Sequence, residues 1–307
     1  MFGIITIAHG EKRYIEMAKM LALSLKLTNP AIKRAVISDA PQDEFRDLFD
    51  TYIHYNSAYG KGLSQKLYLD QYSPFDETLF IDSDCLVVDN LDHTLELCGK
   101  HSFAVFGDQI TSGDWYMDVV VMCKKFNLAS IPLFNGGTYY FKKTDITTKI
   151  YEQARKLHEN YSALGFHDFR GSINEEPLIA VAMAVNNVKA VDDKGTGMRT
   201  PIGLIGPLEI DVLNRKSAFN KEGVRVQPAI VHFSGSFSIA FHYKREVSKL
   251  KLIRTLPFLN KKLASFLVNT AYDVPYACYV FSKRILKSIF RREKFDYSNS
   301  LPAFSNQ

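Results

Sequence analysis

Short apolar runs alternate along the first half of the chain with segments in which apolar residues recur every three or four positions. Residues 3–8 form a β-branched run that predicts a buried strand, and the spacing from Tyr14 to Leu25 predicts an amphipathic helix that ends at Asn29-Pro30. The same patterns predict strands at 35–38, 51–55, 78–82, 102–107, 138–142 and 229–233, and helices at 42–49, 63–72, 145–164 and from about 175. This alternation predicts an α/β fold with a mostly parallel sheet, helices on both faces and a ligand crevice beyond the carboxyl ends of the strands.

The pattern changes after Phe241, where basic and apolar residues share helical stretches that we expect to be broken at Pro257 and Pro275. The last residues, 295–307, are polar and are predicted to be disordered. We therefore expect a catalytic or binding domain at 1–243, a basic amphipathic helical tail at 244–294 and a disordered end.

Composition narrows the class of protein. Of the 307 residues, 46% are hydrophobic and 23% are charged, which excludes a disordered or fibrous chain. The four cysteines include no C-x-x-C pair, so their spacing indicates neither a zinc site nor a disulfide framework, and a reducing compartment is expected. The opening segment is expected to be a buried strand rather than a signal peptide, and no stretch reaches the roughly 18 apolar residues of a spanning helix, so a cytoplasmic protein is predicted.

The positive charge is concentrated in the tail. The whole chain carries 38 basic and 33 acidic residues, a net charge of +5, whereas 244–294 alone holds 13 basic and 3 acidic residues. A helical projection from Cys278 to Arg292 separates apolar from basic side chains, as in a helix that lies on an anionic membrane surface. The alternatives are an amphipathic helix packed on the catalytic domain and a nucleic-acid-binding tail, and against the latter no recognised nucleic-acid motif occurs.

Two carboxylates stand where a buried strand ends. The apolar run at 78–81 leads directly into Asp82-Ser83-Asp84, and acids at i and i+2 point the same way and can share a divalent cation. The simpler alternative is an acidic turn, although uncompensated negative charge at the crevice of an α/β sheet favours a bound cation.

At these residues the sequence resembles the D-x-D strand of GT-A glycosyltransferases, especially family 8. Four further motifs occur in the family's order: the opening strand at 3–8 with the helix after it, the basic residue and apolar residues at Lys66-Leu67-Tyr68-Leu69, the F-N-[SA]-G-like segment at 134–137, and the I-H-x-x-G-like segment at 231–235. The resemblance spans about residues 3–240. It implies a GT-A, Rossmann-like mixed sheet flanked by helices and a metal-dependent hexosyltransferase that uses a nucleoside diphosphate sugar, with uridine as the expected base.

The resemblance also assigns expected roles. Asp82, Asp84 and His232 are the expected ligands of Mn²⁺ or Mg²⁺, with a core histidine as the alternative for His232. A cation held there would neutralise charge on the diphosphate leaving group. The residues expected to contact the donor are Ala8, His9, Tyr14, Lys66, Asp82, Ser83, Asp84, Asp108, Asn135, Gly136, Gly137 and Gly235.

The chain also departs from the family pattern. The family's Lys-Pro-Trp after the histidine motif is replaced by residues 236–239, so its phosphate-binding lysine is missing and Lys66 is the candidate substitute. At the start of a late helix, Asn174-Glu175-Glu176 replaces Asp-Gln-Asp. Glu175 and Glu176 are therefore expected either to act as general base for the acceptor hydroxyl, to position the acceptor, or only to begin the helix.

Segment 109–133 shows no clear period and contains Trp115, which predicts an acceptor-side loop.

The first hypothesis is a glycosyltransferase that acts on a glycan or lipid-linked acceptor, held by its tail on the inner face of a membrane. A metal-dependent nucleotidyl- or phosphotransferase is the second, weakened by the absence of a GxxxxGK[ST] loop. A non-enzymatic protein that binds anionic surfaces or nucleic acid is the third.

Overall fold

The structure is a computed structural model that describes residues 1–169 and 171–289. The strands of this part are β1 (Phe2–Ala8), β2 (Lys33–Ser38), β3 (Thr51–His54), β4 (Glu77–Ile81), β5 (Cys85–Val87), β6 (Phe103–Ala104), β7 (Gly107–Ile110), β8 (Ile131–Phe134), β9 (Thr138–Lys142), β10 (Met198–Arg199), β11 (Leu204–Asp211), β12 (Lys216–Lys221), β13 (Val224–Val226) and β14 (Ile230–His232). The α-helices are α1 (Lys12–Thr28), α2 (Leu69–Tyr72), α3 (Asp92–Cys98), α4 (Val119–Phe126), α5 (Asp145–Glu159), α6 (Tyr161–Leu164), α7 (Glu175–Val185), α8 (Phe241–Thr255) and α9 (Lys261–Ile289). Short 3-10 helices occur at Gln42–Glu44, Ser57–Tyr59, Gly62–Tyr68 and Gly235–Ile239.

A six-stranded sheet in the order β3-β2-β1-β4-β9-β6 forms the centre of the fold. Strands β3, β2, β1 and β4 are parallel, and β9 runs antiparallel between β4 and β6. Successive residues of β1 enter different cores: Ile5 packs in the cluster that includes side chains of α5 and α7, and Ile4 packs in the cluster that includes Leu21 and Leu25 of α1. The predicted α/β fold with a mostly parallel mixed sheet flanked by helices is confirmed.

A second, three-stranded sheet in the order β10-β14-β5 joins a late strand to the segment that follows β4. In its antiparallel register β14 places His232 opposite Cys85, and the N–H of Phe233 donates to the carbonyl of Asp84 at 3.0 Å. This sheet brings the late histidine motif to the acidic strand end.

Some predicted element boundaries differ from the structure. The predicted acceptor-side loop at 109–133 holds strand β7, helix α4 and strand β8. Helix α4 is capped at its N-terminus by Asp118, whose carboxylate accepts the N–H of Val121, and at its C-terminus by Asn127, which has a φ of 53°. These capping contacts stabilise a helix that its β-branched residues disfavour. The predicted helix at 42–49 is a single 3-10 turn, and the helix at 145–164 divides into α5 and α6 at Asn160.

The tail begins with α8 and α9, which pack against each other and against the three-stranded sheet β11-β12-β13. Tyr243 and Leu250 of α8 lie in a hydrophobic cluster with Leu208 and Phe219 of that sheet. Pro275 does not break α9, contrary to the predicted break there. Its missing N–H leaves the carbonyl of Ala271, an exposed residue, to water.

Among the described helices, none combines the length and the apolarity that crossing a bilayer requires. The predicted disordered end at 295–307, the helix residues 290–294 and the side-chain arrangement predicted for 284–292 lie outside the described residues.

Candidate functional site

The candidate site lies where the four parallel strands end. His9 follows β1, Asp39 follows β2, Tyr55 follows β3 and Asp82 follows β4, and parallel strands present these ends at one edge of the sheet. The edge at which the sequence pattern predicts a crevice therefore carries the residue that follows each parallel strand.

Asp82 and Asp84 are held in a tight turn after β4. The N–H of Asp82 donates to the carbonyl of Gly137 at 2.9 Å, and the N–H of Cys85 donates to the carbonyl of Asp82 at 3.0 Å. Both acidic side chains are 21% exposed, whereas Ser83 between them is buried. The two carboxylates therefore remain open to a ligand from the crevice.

His232 meets these carboxylates with one ring nitrogen. Its Nε2 lies 3.0 Å from Asp84 Oδ1 and 3.8 Å from Asp82 Oδ2. Its Nδ1–H donates to Asn135 Oδ1 at 2.6 Å, which fixes the ring with Nε2 toward the acids. A carbonyl-type oxygen on the far nitrogen is how proteins orient a metal-binding imidazole.

The two positions after Asn135 must be glycine, because a side chain at either one would collide with its neighbours. A Cβ on Gly137 would lie 2.4 Å from His232 Nδ1, and one on Gly136 would lie 2.7 Å from Tyr139 Oη and 2.8 Å from Glu175 Oε1. These glycines thus allow the imidazole and the acid of α7 to pack directly against the turn, in the segment where the motif predicted a close approach of the donor.

Lys66 lies inside the site rather than on a solvated helix face. Its Nζ lies 2.7 Å from Asp82 Oδ2 and 3.0 Å from Glu175 Oε1, and it donates to the carbonyl of Gly136 at 3.0 Å. Burial would lower the pKa of Lys66, but the carboxylates of Asp82 and Glu175 outweigh it and raise that pKa. The ammonium is therefore a fixed positive charge at the acidic strand end.

Glu175 and Glu176 begin α7 and both turn toward the same cluster. Glu176 Oε1 accepts the N–H of Gly136 at 2.6 Å, and Asn174 caps the helix by accepting the N–H of Glu176 at 3.0 Å. Burial, reinforced by the charge of Glu175, raises the pKa of Glu176 to about 7. Burial also raises the pKa of Glu175, which Lys66 only partly offsets. Within the described residues Glu175 Oε2 has no hydrogen-bond partner although it is buried.

The charged groups of the cluster shift one another's pKa values. Burial raises the pKa of Asp82 despite the nearby Lys66. Burial would raise the pKa of Asp84 as well, but His232 outweighs it and lowers that pKa. Burial would lower the pKa of His232, and the two aspartates outweigh it and raise it. Two carboxylate oxygens and an oriented imidazole nitrogen are donor types that a divalent metal ion takes.

Three of the residues that were expected to contact the donor, Ala8, His9 and Tyr14, lie near the end of β1 or at the start of α1. His9 stacks on Tyr55 with ring centroids 4.5 Å apart, and Asp39 accepts the N–H of Gly10 through both oxygens at 3.1 Å. Ala8 is fully buried, so only its backbone can face a ligand. Tyr14 is turned to its own helix, where its hydroxyl accepts from Arg13 at 2.8 Å.

Two other predicted positions, Asp108 and Gly235, are exposed. Asp108 is exposed within β7, rather than after a strand, because the predicted strand at 102–107 is divided into β6 and β7. Gly235 starts a 3-10 helix with φ of 61°, a conformation that favours glycine. Trp115 packs edge-on against Phe134, with ring centroids 5.6 Å apart.

Sequence reasoning did not single out several residues of the site: the orienting role of Asn135, the thiol of Cys85, and Asp39 with Tyr55. Asp39 and Tyr55 each directly follow a predicted parallel strand, which is the signal that could have identified them. Asn135 and Cys85 gave no such signal, because their roles depend on the pairing of β5 with β14.

No protein-family model matches the sequence, and no curated protein sequence matches it either. Among solved structures, the chain is similar to the galactosyltransferase LgtC in complex with donor and acceptor sugar analogs, with 17% identity, a TM-score of 0.49, and 76% of this chain and 87% of that one covered. It is also similar to the glycosyltransferase GlyE of Streptococcus pneumoniae, with 14% identity, a TM-score of 0.45, and 63% and 46% covered. A third is mouse xyloside xylosyltransferase 1, with 12% identity, a TM-score of 0.41, and 65% and 87% covered. These overlaps are too low to assign a family or an activity.

Proposed function

We propose that this protein is a metal-dependent glycosyltransferase that moves a sugar from a nucleoside diphosphate sugar, with uridine as base, to a glycan or lipid-linked acceptor. The observation that carries the proposal is the convergence of Asp82, Asp84 and His232 at the carboxyl ends of the parallel strands. The late histidine motif and the acidic strand end, distant in sequence, meet there as the GT-A resemblance implies.

Asp82, Asp84 and His232 would hold Mn²⁺ or Mg²⁺ against the diphosphate of the donor. The bound cation would supply charge neutralisation as the bond between sugar and phosphate breaks. Asn135 keeps His232 Nε2 directed at the carboxylates, and His232 must give up its Nε2 proton to ligate a metal. Lys66 holds Asp82 and Glu175 in fixed positions and adds a positive charge near the leaving group.

Glu176 is the better candidate for proton transfer from the acceptor hydroxyl. A pKa of about 7 suits a group that must be ionised to accept a proton and protonated to return it at neutral pH. Glu175 instead pairs with Lys66 and accepts from Tyr139 at 3.3 Å, which suits a positioning role.

The basic tail at 244–294 would keep the catalytic domain, 1–243, beside a lipid-linked acceptor on the inner face of a membrane. Apolar side chains recur along one side of α9 at Leu263, Phe266, Leu267 and Val274, and all are about half exposed or more. An exposed apolar face on a positively charged segment suits insertion at an anionic lipid interface. Arg245 and Lys249 do not contribute to that attraction, because both are buried in ion pairs.

A thermal-shift screen of nucleoside diphosphate sugars, with and without Mn²⁺, tests the donor and the metal together. We expect a uridine diphosphate sugar with Mn²⁺ to raise the melting temperature, since a ligand that binds only the folded state stabilises it. Asp84→Asn should abolish both the shift and transfer. The matched control is Asp89→Asn, because Asp89 is an exposed acid five residues further along that does not belong to the cluster. Transfer that is undiminished in Asp84→Asn would contradict the proposed function.

A further inference from the structure

A thiol stands directly beside the candidate metal ligands. Asp84, Cys85 and His232 have ligand atoms that all lie within 4.8 Å of one another. Cys85 and His232 are paired across β5 and β14, so their side chains lie on the same face of that small sheet. Cys85 is fully buried, and its Sγ lies 3.9 Å from the carbonyl of Gly137, a weak contact that leaves the thiol without a strong partner.

The donor types in this cluster differ from those of a purely oxygen-ligated site. One carboxylate oxygen, one imidazole nitrogen and one thiol sulfur are the ligand classes that zinc takes, whereas Mn²⁺ and Mg²⁺ prefer oxygen. The cysteine spacing argued against a zinc site because no C-x-x-C occurs, but here the ligands come from two paired strands and not from one local motif.

The distances are close to what a tetrahedral ion needs. Metal–ligand bonds of about 2.0–2.3 Å place neighbouring ligand atoms about 3.5 Å apart. His232 Nε2 and Asp84 Oδ1 are 3.0 Å apart, and the ligand atoms of Asp84, Cys85 and His232 all lie within 4.8 Å of one another. Asn135 fixes the imidazole with Nε2 toward Asp84, so the ring is oriented before any ion binds.

We propose that Asp84, Cys85 and His232 form a site for a thiophilic divalent cation, Zn²⁺ or Cd²⁺, which overlaps the site of the activating metal. The ion would bind the sulfur as a thiolate, and the thiol proton would pass to solvent. Because two ligands are shared, the thiophilic cation would exclude the activating one and block transfer. This inference extends the metal site of the proposed function. Only the predicted inhibition of transfer rests on that function, whereas the binding of the cation does not.

Cadmium binding can be followed without any activity, through the ultraviolet charge-transfer band of a thiolate bound to Cd²⁺. The full chain carries Cys123→Ser and Cys278→Ser, because those two thiols are partly or fully exposed and would bind Cd²⁺ on their own. We expect metal-free protein to develop the band on titration with Cd²⁺. Cys85→Ser should lose it. Cys98→Ser is the matched control and should keep it, because Cys98 is equally buried but does not belong to the group of ligand atoms formed by Asp84, Cys85 and His232.

A band that persists in Cys85→Ser, or disappears in Cys98→Ser, would overturn the proposal. Cys85→Val, an apolar replacement, must also lose the band, and a folded Cys85→Val that keeps it would overturn the proposal even if Cys85→Ser failed to fold. His232→Gln should weaken Cd²⁺ binding about tenfold or more, since it removes a ligand.

Competition separates this inference from the proposed function. Zn²⁺ should inhibit Mn²⁺-dependent transfer, and Cys85→Ser should raise the inhibitory Zn²⁺ concentration about tenfold or more relative to Cys98→Ser. If Mn²⁺ supports transfer but Cd²⁺ gives no band, the thiophilic site is wrong and the proposed function stands. If Cd²⁺ gives the band through Cys85 but no sugar is transferred under any condition, the site stands and the proposed function fails.

Discussion

At the scale of single residues, His232 is held from both sides of its ring. Asn135 accepts from Nδ1, Asp84 lies at Nε2, and the backbone of Gly137 packs close to the ring where any side chain would collide with it. The metal-binding geometry therefore depends on a glycine that contributes no ligand.

Gly137→Ala should displace the imidazole, because the added Cβ would lie 2.4 Å from Nδ1. We expect a loss of about 1–3 kcal/mol in unfolding free energy and about tenfold weaker Mn²⁺ binding, measured by urea denaturation and calorimetry. Gly223→Ala serves as control: its φ of 89° makes alanine costly, yet nothing lies within 4 Å of its Cβ. If both variants bind Mn²⁺ like the parent protein, Gly137 is not needed for the orientation of His232.

Glu176 gives a prediction about pH. Its folded-state pKa of about 7 lies above the ordinary 4.5, so between these values the folded state holds a proton that the unfolded state has lost. Stability should therefore fall as the pH rises through this window, by at most about 3 kcal/mol. Glu176→Gln, which keeps an oxygen for the N–H of Gly136, should remove this loss, so its melting temperature relative to the parent should increase from pH 5 to pH 8.

The exposed Glu152 on α5 provides the control, and Glu152→Gln should show no such increase. Parallel pH dependences for the parent and Glu176→Gln would mean that Glu176 ionises as freely in the folded protein as in the unfolded chain.

The sequence predicted the residues of this site better than their contacts. Asp82 and Asp84 were predicted because a buried strand ends in acids, and His232 was placed beside them only through the resemblance. Lys66 was equally compatible with a solvated helix face, since nothing local shows that Gly62–Tyr68 is a 3-10 helix whose lysine is buried. The long-range pairing of β5 with β14 decides these contacts, and no local pattern encodes it.

At the scale of elements, the tail is joined to the β11-β12-β13 sheet by buried charges. Lys249 of α8 lies 2.9 Å from Glu246 Oε1 and 3.3 Å from Asp211 Oδ2 at the end of β11, and Ser265 of α9 donates to the same aspartate. Arg245 pairs with Glu246 and with Asp273 of α9, both at 3.0 Å. The orientation of both tail helices is thus set by one network.

Lys249→Met should leave the buried carboxylates of Glu246 and Asp211 without the ammonium group that neutralises them. We expect the unfolding free energy to fall by about 3–5 kcal/mol, because removing one partner of a buried ion pair leaves the other uncompensated. Lys251→Met, an exposed change on the same helix, should alter it by less than about 0.5 kcal/mol. Equal effects in urea denaturation would show that Lys249 adds nothing beyond its hydrocarbon stem.

Elements with a clear apolar run or period were predicted well. Elements that depend on capping residues, or whose apolar pattern is interrupted, were not. The parallel strands β1, β2 and β4 follow from their apolar runs. Helix α4 was missed because its residues favour strands, although Asp118 before an apolar run is a signal for a helix start. The strands β11 and β12 were missed because Gly206 and Pro207 interrupt the alternation of the first.

At the scale of the whole molecule, charge and apolar exposure coincide in the tail. Phe258, Phe266 and Phe281 are 84%, 64% and 66% exposed, within a stretch whose basic residues outnumber its acidic residues by 13 to 3. Exposed phenylalanines would insert into the lipid interface, while each basic residue near an anionic surface adds about 1 kcal/mol of attraction that salt screens. Full activity on a lipid-linked acceptor would then require this face.

The full chain should sediment with anionic vesicles at low salt and be released as the salt concentration rises. Phe258→Asp/Phe266→Asp/Phe281→Asp should stay in the supernatant, because the acids remove the apolar insertion and weaken the attraction to anionic lipid. Since all three side chains are exposed, the fold should tolerate the changes, and the melting temperature checks this. The control is Val224→Asp, which places an acid at a 64% exposed apolar position of β13, outside the tail, and should sediment like the parent. If the triple variant still sediments with the vesicles, the three phenylalanines do not form the contact surface. If the parent protein itself stays in solution at low salt, the tail does not bind anionic lipid, and a soluble acceptor is favoured.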